Sequence, residues 1–284
     1  PSASPHHTIA LIAGSASAEA IAICHHIPIP DSLATKRGVG ARRDTLDRMT
    51  TRTDQRPLPT YVFSAAAARS IDRLCAGRFG ISTLVLMENA AVHVCAVALQ
   101  VAPPGRQPRV LLVAGMGNNG GDALAAARHL SNAGASVSIL LVGDAKQLSP
   151  DAAAQLKTCR RMRLPITIAK SSLQASLPIA LRRLGRGWPD VVVDGLFGTG
   201  LSREVEGVAL ETIQVINGLR AKGSRVVAID IPSGLDASSG KPLGGAVYAD
   251  MTVTFVGLKT GMLAPEAIEY LGRVAIADIG VPRS

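Results

Sequence analysis

From Ser64 onward the chain alternates short apolar runs with stretches of helical periodicity. The apolar runs are RVLLVA (109–114), SVSILLV (136–142), ITIA (166–169), DVVVD (190–194), RVVAID (225–230), MTVTF (251–255) and RVAIA (273–277). Each has strand length. Their lack of polar alternation predicts strands covered on both faces, as in a parallel sheet. Helices are predicted between them. Ser64 caps one that runs through Arg78, with Ile71, Leu74 and Cys75 on one face and Gly80 as the stop. Ser82 caps a second, 83–101. Further helices fall at about 121–133 before Gly134, at 149–163 behind Ser149-Pro150, at 173–186, and at about 208–222 before Gly223.

Strands and helices at this spacing make βαβ units with right-handed crossovers. The expectation is an α/β fold, an open and mostly parallel sheet with helices on both faces. Ligands of such folds sit beyond the carboxyl ends of the strands. The loops after 114, 194, 230 and 255 therefore carry the candidate chemistry.

The first 60 residues lack this regularity. They hold His6, His7, His25 and His26, four of the six histidines, among scattered Pro, Ser and Arg. The segment 8–18 has neither the basic start nor the long apolar core of a secretory signal. Residues 1–60 are read as a flexible or non-native extension, with Met49 close to the natural start, and 61–284 as one catalytic domain.

Composition narrows the choices. The chain has 284 residues, 47% apolar and 18% charged, which favours a large buried core. Aromatics are only 3%, so a stacking platform for single-stranded nucleic acid is not expected. Lys+Arg number 30 and Asp+Glu 21, giving +9. Lys157, Arg160, Arg161, Arg163, Lys170, Arg182, Arg183 and Arg186 supply eight of those positive charges in a stretch with no acid. The excess is thus local and reads as a solvated or steering surface rather than a nucleic-acid face. Cys24, Cys75, Cys95 and Cys159 have no zinc-type spacing and suit reduced thiols of a cytoplasmic protein. No apolar run approaches the roughly 18 residues of a membrane helix.

The loop AGMGNNGGDAL (114–124) satisfies G-x-G-x-x-G through Gly115, Gly117 and Gly120, between a strand and a helix. Backbone amides at such a turn can cradle a phosphate. With Asp144 after the next strand, a nicotinamide-dependent oxidoreductase is one reading. Asn118, Asn119 and Asp122 are unusual for a dinucleotide turn and offer oxygen ligands or hydrogen bonds to a polar ligand. Asp194 and Asp230 each end an apolar strand, where a carboxylate is costly without a partner. Gly198-Thr199-Gly200 supplies a second flexible cradle. Lys259, after the sixth strand, can neutralise a phosphate or stand in solvent. His93 and His129 fall on predicted helices and read as packing residues.

Four segments in order carry a resemblance: LVLMENAA (84–91), GNNGGDALAAARHL (117–130), VVDGLFGTGLSREVEG (192–207) and IDIPSGLDASSGKPLGGAVYADMTVTF (229–255). They resemble the YjeF N-terminal domain family, the NAD(P)H-hydrate epimerases, over about 62–280. The resemblance implies a Rossmann-like three-layer αβα sandwich. It implies epimerisation of the R and S forms of hydrated NADH and NADPH at C6, with K+ bound and an NAD(P)H-hydrate dehydratase as functional partner. That dehydratase domain, fused in many members, is not expected, because the chain stops soon after the seventh strand. By position, Asn118, Asn119, Gly120, Gly121, Asp122, Gly198, Thr199, Gly200, Leu201, Ser202, Arg203, Glu204 and Asp230 would contact the nucleotide. Asn119, Asp194 and Ser233 would hold potassium. Asp194, then Asp230, is the expected proton-transfer group. Met116 replaces a frequent Pro, Ala123 a frequent Gly, and GLKTG the usual Pro-Lys-Pro-Gly. A homodimer is expected from the resemblance and the apolar 84–101 helix. A non-catalytic RNA-binding module of this fold is the remaining alternative, kept by the basic segment.

Overall fold

The computed structural model describes residues 61–185 and 187–282. Residues 1–60, on which the expected extension, its paired histidines, Cys24 and the expected start near Met49 fall, lie outside the described residues. In chain order the elements are β1 (Val62–Phe63), α1 (Ala65–Phe79), α2 (Thr83–Val101), β2 (Arg109–Ala114), α3 (Asn118–Asn132), β3 (Ser136–Val142), α4 (Pro150–Arg161), β4 (Ile166–Ala169), α5 (Ser176–Arg182), β5 (Val191–Gly195), α6 (Gly207–Ala221), β6 (Arg225–Ile229), β7 (Met251–Phe255), β8 (Leu258–Lys259), α7 (Ile268–Leu271) and β9 (Arg273–Ala277).

Seven strands form one sheet in the order β4-β3-β2-β5-β6-β7-β9, and every pairing is parallel. The chain runs outward from β2 to β4, then returns to β5 and builds the other half. The order therefore reverses between β2 and β5, and a crevice opens at their carboxyl ends. Both sheet faces are buried. Leu112, Ile139, Val193 and Val227 point into the layer that includes Met87, Val94 and Leu124. Leu111, Leu140, Val192 and Val226 pack under Ile213, Ile216 and Leu219 of α6. This explains the unbroken apolar runs.

Local rules hold at most helix ends. Ser64 Oγ accepts from Ala67 N, and Gly80 closes α1 at φ 68°. Ser149 caps α4, with Pro150 in its first turn. Ser82 precedes α2 without a side-chain cap bond. The helix α3 begins at Asn118, three residues before the expected start. Gly120 and Gly121 are therefore helical.

The helix α2 is long and apolar enough to cross a membrane by length and composition alone. Half of its apolar window is buried inside the protein, where Ala91, Val94 and Ala98 join the core. A two-stranded parallel pairing of β1 with β8 was not visible in the sequence. It sets Val62 beside Leu258 and Phe63 beside Lys259. That pairing brings α1 to the mouth of the crevice.

The basic segment surrounds β4, the free edge of the sheet. The outward carbonyl of Ile166 accepts from Arg183 at 2.7 Å, and that of Ile168 from Ser176 at 3.2 Å. Charge and side-chain caps together block strand addition at this edge.

Candidate active site

A cleft of about 940 Å³ lies at the switch point. Its floor is the loop after β2 with the first turn of α3. One wall is the 196–203 loop. Asp230, Val256 and Lys259 line it from the segments that follow β6 and β7, and Arg69 and Asp72 line it from α1. Asn118, Asn119, Asp122, Asp230 and the whole run Gly198 to Arg203 line it, as the resemblance implied.

Three expected contacts do not line it. Glu204 points to solvent. Gly120 and Gly121 sit behind the cleft wall, and packing explains their identity. A Cβ on Gly120 would stand 2.0 Å from Gly115 O, so the helix start lies directly on the strand end. A Cβ on Gly121 would stand 2.5 Å from Met87 Cε, at the α2–α3 crossing.

Asp194 is also behind the wall, fully buried. Its Oδ1 accepts from Ser233 Oγ at 2.6 Å and Leu196 N at 3.2 Å, and its Oδ2 from Ser233 N at 2.8 Å. These bonds tie the loop after β6 to the end of β5. Burial pushes its pKa up to about 6, although the bonds from Ser233 and Leu196 favour the charged form. No cationic side chain faces it among the described residues. Ser233 Oγ also accepts from Phe197 N at 2.8 Å and lies 3.2 Å from Phe197 O. Asn119 Nδ2 donates to that same carbonyl at 2.8 Å. Asp194, Ser233, Phe197 O and Asn119 thus form one linked set of oxygen donors carrying a single buried negative charge. Such a set fits a hard monovalent cation and not a soft metal. Among the described residues no cluster of three His, Cys, Asp or Glu offers a transition-metal site.

Asp230 is the strand-end carboxylate that reaches the cleft. Its backbone is held at φ 65°, a left-handed conformation uncommon outside glycine. Asp230 N donates to Val253 O at 2.7 Å, fixing that turn. Its Oδ1 accepts from Lys259 Nζ in an ion pair. Lys259 is 2% exposed, so the lysine is a buried partner and not a solvated one. Its ammonium also donates to Thr254 Oγ1 at 2.7 Å and Phe255 O at 3.2 Å.

Two further carboxylates stand near this pair. Burial first, then Asp230, Asp72 and Asp151, hold Asp122 well above the usual carboxylate range. Burial, then Asp230 and Asp151, raises Asp72, and Lys259 opposes. Asp72 and Arg69 were not singled out in the sequence. Their only signal is polarity, which Ser70, Arg73 and Arg78 of the same helix share. Nothing in the local pattern tells that β1–β8 pairing delivers that helix to the cleft.

Asp144, the ribose-type carboxylate of the oxidoreductase reading, is engaged otherwise. It caps a short turn through Lys146 N at 3.1 Å and pairs with Lys170 at 3.5 Å. The first of these is the main cause that lowers its pKa. His93 contacts Asp278 O, and His129 contacts Glu88 beside Arg128. Neither lines the cleft.

Comparison with known proteins agrees with this architecture. The chain is 38% identical over 215 residues to the NAD(P)H-hydrate epimerase of Limosilactobacillus fermentum, covering 76% of this chain and 95% of that one. It is 35% identical over 226 residues to the bifunctional NAD(P)H-hydrate repair enzyme Nnr of Moorella thermoacetica, covering 78% of this chain but 41% of that protein. The yeast protein ynu0 (YNL200c), known from a crystal structure, shares the fold with a TM-score of 0.62 at 20% identity, over 76% of this chain and 88% of that one. Residues 83–261, which include the cleft loops, match the YjeF-related protein N-terminus family, and the chain belongs to it.

Proposed function

We propose that this chain interconverts the R and S forms of hydrated NADH and NADPH at C6. The observation that carries the reading is the Asp230–Lys259 pair, a carboxylate with a buried counterion facing a cleft at the strand switch point. Relatives named as NAD(P)H-hydrate epimerases support it. The hydroxyl at C6 adjoins the ring nitrogen. Inversion requires the C–O bond to break and re-form, or the ring to open and close. Both routes need a group that gives and takes a proton at oxygen. Asp230 takes that role. Asp194, the first expectation from sequence, has no face in the cleft and acts by holding Ser233 and the 196–198 backbone in place.

The cleft, at about 940 Å³, has the volume of a site for a ligand of dinucleotide size. Amides at the start of α3 and in the Gly198–Arg203 loop suit the diphosphate, aided by the helix dipole. Asn119, Asp194, Ser233 and the Phe197 carbonyl would hold K+. When bound, the ion would neutralise Asp194 and stiffen both phosphate-facing loops. Product of the S form would pass to an NAD(P)H-hydrate dehydratase as functional partner. The free cysteines Cys75, Cys95 and Cys159 suit a reducing compartment such as the cytoplasm. A homodimer through the exposed side of α2, where Leu84 and Val85 face outward, remains part of the reading.

The test supplies purified protein with the separated R-hydrate of NADH and follows the S form by chromatography, in KCl and in tetramethylammonium chloride. Conversion well above the spontaneous rate, faster in KCl, is expected. Conversion at the spontaneous rate in both salts overturns the reading.

A further inference from the structure

The reacting carbon sets a requirement that one carboxylate does not meet. In the R and S forms the C6 hydroxyl projects from opposite faces of the ring. A single carboxylate fixed on one side cannot protonate oxygen on one face and accept a proton from oxygen on the other. Asp230 is fixed, since its backbone turn is bonded to Val253 and its side chain to Lys259. On the route through C–O cleavage a second group from a different element is therefore needed.

We propose that Asp72 of α1 is that second proton-transfer group, the counterpart of Asp230 across the reacting ring. This deepens the epimerase reading above and rests on it. Asp72 and Asp230 both line the cleft and come from separate elements, a helix and a strand end. The helix is anchored there. Ser64 caps its start, Arg69 Nη1 donates to Thr199 O at 2.7 Å, and β1 pairs with β8 at Lys259.

The charged groups around Asp72 distinguish its surroundings from those of Asp230. On its own helix stand Arg69, Arg73 and Cys75. Asp122 of α3, Asp151 of α4, Asp230 and Lys259 face it from other elements. Glu88 and His93 of the adjacent α2 are engaged elsewhere, with Arg128 and with Asp278 O. Lys259 bonds directly to Asp230 and not to Asp72. The ammonium of Lys259 is thus committed to Asp230, and Asp72 has no such direct ammonium partner among the described residues. Burial and the neighbouring acids favour the protonated form of Asp72.

The step balances. The bonding pair of C6–O leaves with oxygen, Asp72 gives its proton to that oxygen, and water departs from a ring iminium cation. Water then adds through its oxygen to the other face of C6. Its surplus proton passes to the Asp230 carboxylate, which leaves a neutral hydroxyl. Exchange with solvent returns the proton to Asp72.

The experiment measures steady-state epimerisation of R-hydrate of NADH across pH, by chromatography without a coupling enzyme, for wild type, Asp72→Asn and Asp72→Glu. Wild-type turnover confirms the underlying reading independently of the variants. Asp72→Asn is expected to lower kcat by about 100-fold or more. Its KM should stay within a few-fold, and the alkaline fall of kcat should vanish. Asp72→Glu should recover part of kcat and restore that fall at a shifted midpoint. Asp72→Asn with the wild-type alkaline fall overturns the proposal, whatever its rate. If Asp72→Asn fails to fold, Asp72→Glu decides alone: a moved midpoint supports the proposal and an unmoved one overturns it.

Discussion

Lys259 Nζ and Asp230 Oδ1 form an ion pair in which the lysine is 2% exposed while the aspartate keeps one side toward the cleft. The ammonium is satisfied by Thr254 and by backbone carbonyls as well, so the pair is a fixed feature of the fold and not a mobile surface contact. Its energetics follow from that burial. Removing one partner strands the other charge away from water, which typically costs about 3–5 kcal/mol. Lys259→Met is therefore expected to lower stability by roughly 3 kcal/mol, somewhat less than full because Asp230 retains access to solvent. Urea unfolding at neutral pH measures it. The double variant Lys259→Met/Asp230→Asn should recover much of the loss, because no charge then remains stranded. Asp230→Asn alone should lower kcat on the order of 100-fold or more. A wild-type kcat in that variant would remove Asp230 from the reaction.

Asp194 gives a pH signature. Its carboxyl is raised from 3.8 to about 6 in the folded protein. Between those values the folded state holds a proton that the unfolded state has released. Stability in potassium-free buffer should therefore fall as pH rises from about 4 to about 6, by on the order of 3 kcal/mol at one pK unit per 1.36 kcal/mol. A cation on the Asp194–Ser233–Asn119 set offsets this only when Asp194 is ionised. KCl should then raise Tm at pH 8 more than at pH 5, relative to tetramethylammonium chloride. Asp194→Asn should abolish that difference. Equal KCl effects at both pH values would dissociate the ion from Asp194.

The two helical glycines at the α3 start predict a ranking. Alanine at either gains about 1 kcal/mol of helix propensity. At Gly120 the new methyl meets the Gly115 carbonyl at 2.0 Å, and backbone does not yield. At Gly121 it meets the end of the Met87 side chain, which can rotate. Gly120→Ala should cost more than about 3 kcal/mol or prevent folding, and Gly121→Ala should cost about 1 kcal/mol or less. Thermal melts of the pair test the order. A reversed order would mean that the helix start does not lie on the strand end as described.

Arg160 and Arg163 lie at the sheet edge, outside the cleft. Arg160→Glu/Arg163→Glu is expected to leave kcat and KM for the hydrated cofactor within about twofold. Its effect on aggregation at low salt should be larger, because the charges guard the open edge at β4. A loss of turnover in the folded double variant would tie the basic surface to the reaction.

Much of this protein was legible without coordinates. The strands at 109–114, 136–142, 166–169, 251–255 and 273–277 have the bounds that the apolar runs predicted, because strands covered on both faces leave no room for polar residues. Ser64, Gly80 and Ser149-Pro150 marked their helix ends through local chemistry. The glycine-, asparagine- and aspartate-rich loops were placed at the strand ends by topology alone. The sequence could not rank the carboxylates in those loops. Asp194 and Asp230 look alike, each closing an apolar strand. Folding buries one beneath Ser233 and turns the other into the cleft through a left-handed backbone step at Asp230. The same limit hid Asp72. Its helix reaches the site through the pairing of Val62 and Phe63 with Leu258 and Lys259, residues almost two hundred positions away. Local patterns determine the elements, since burial and capping are read from neighbours in the chain. Which charge meets which is decided only by contacts between segments distant in sequence.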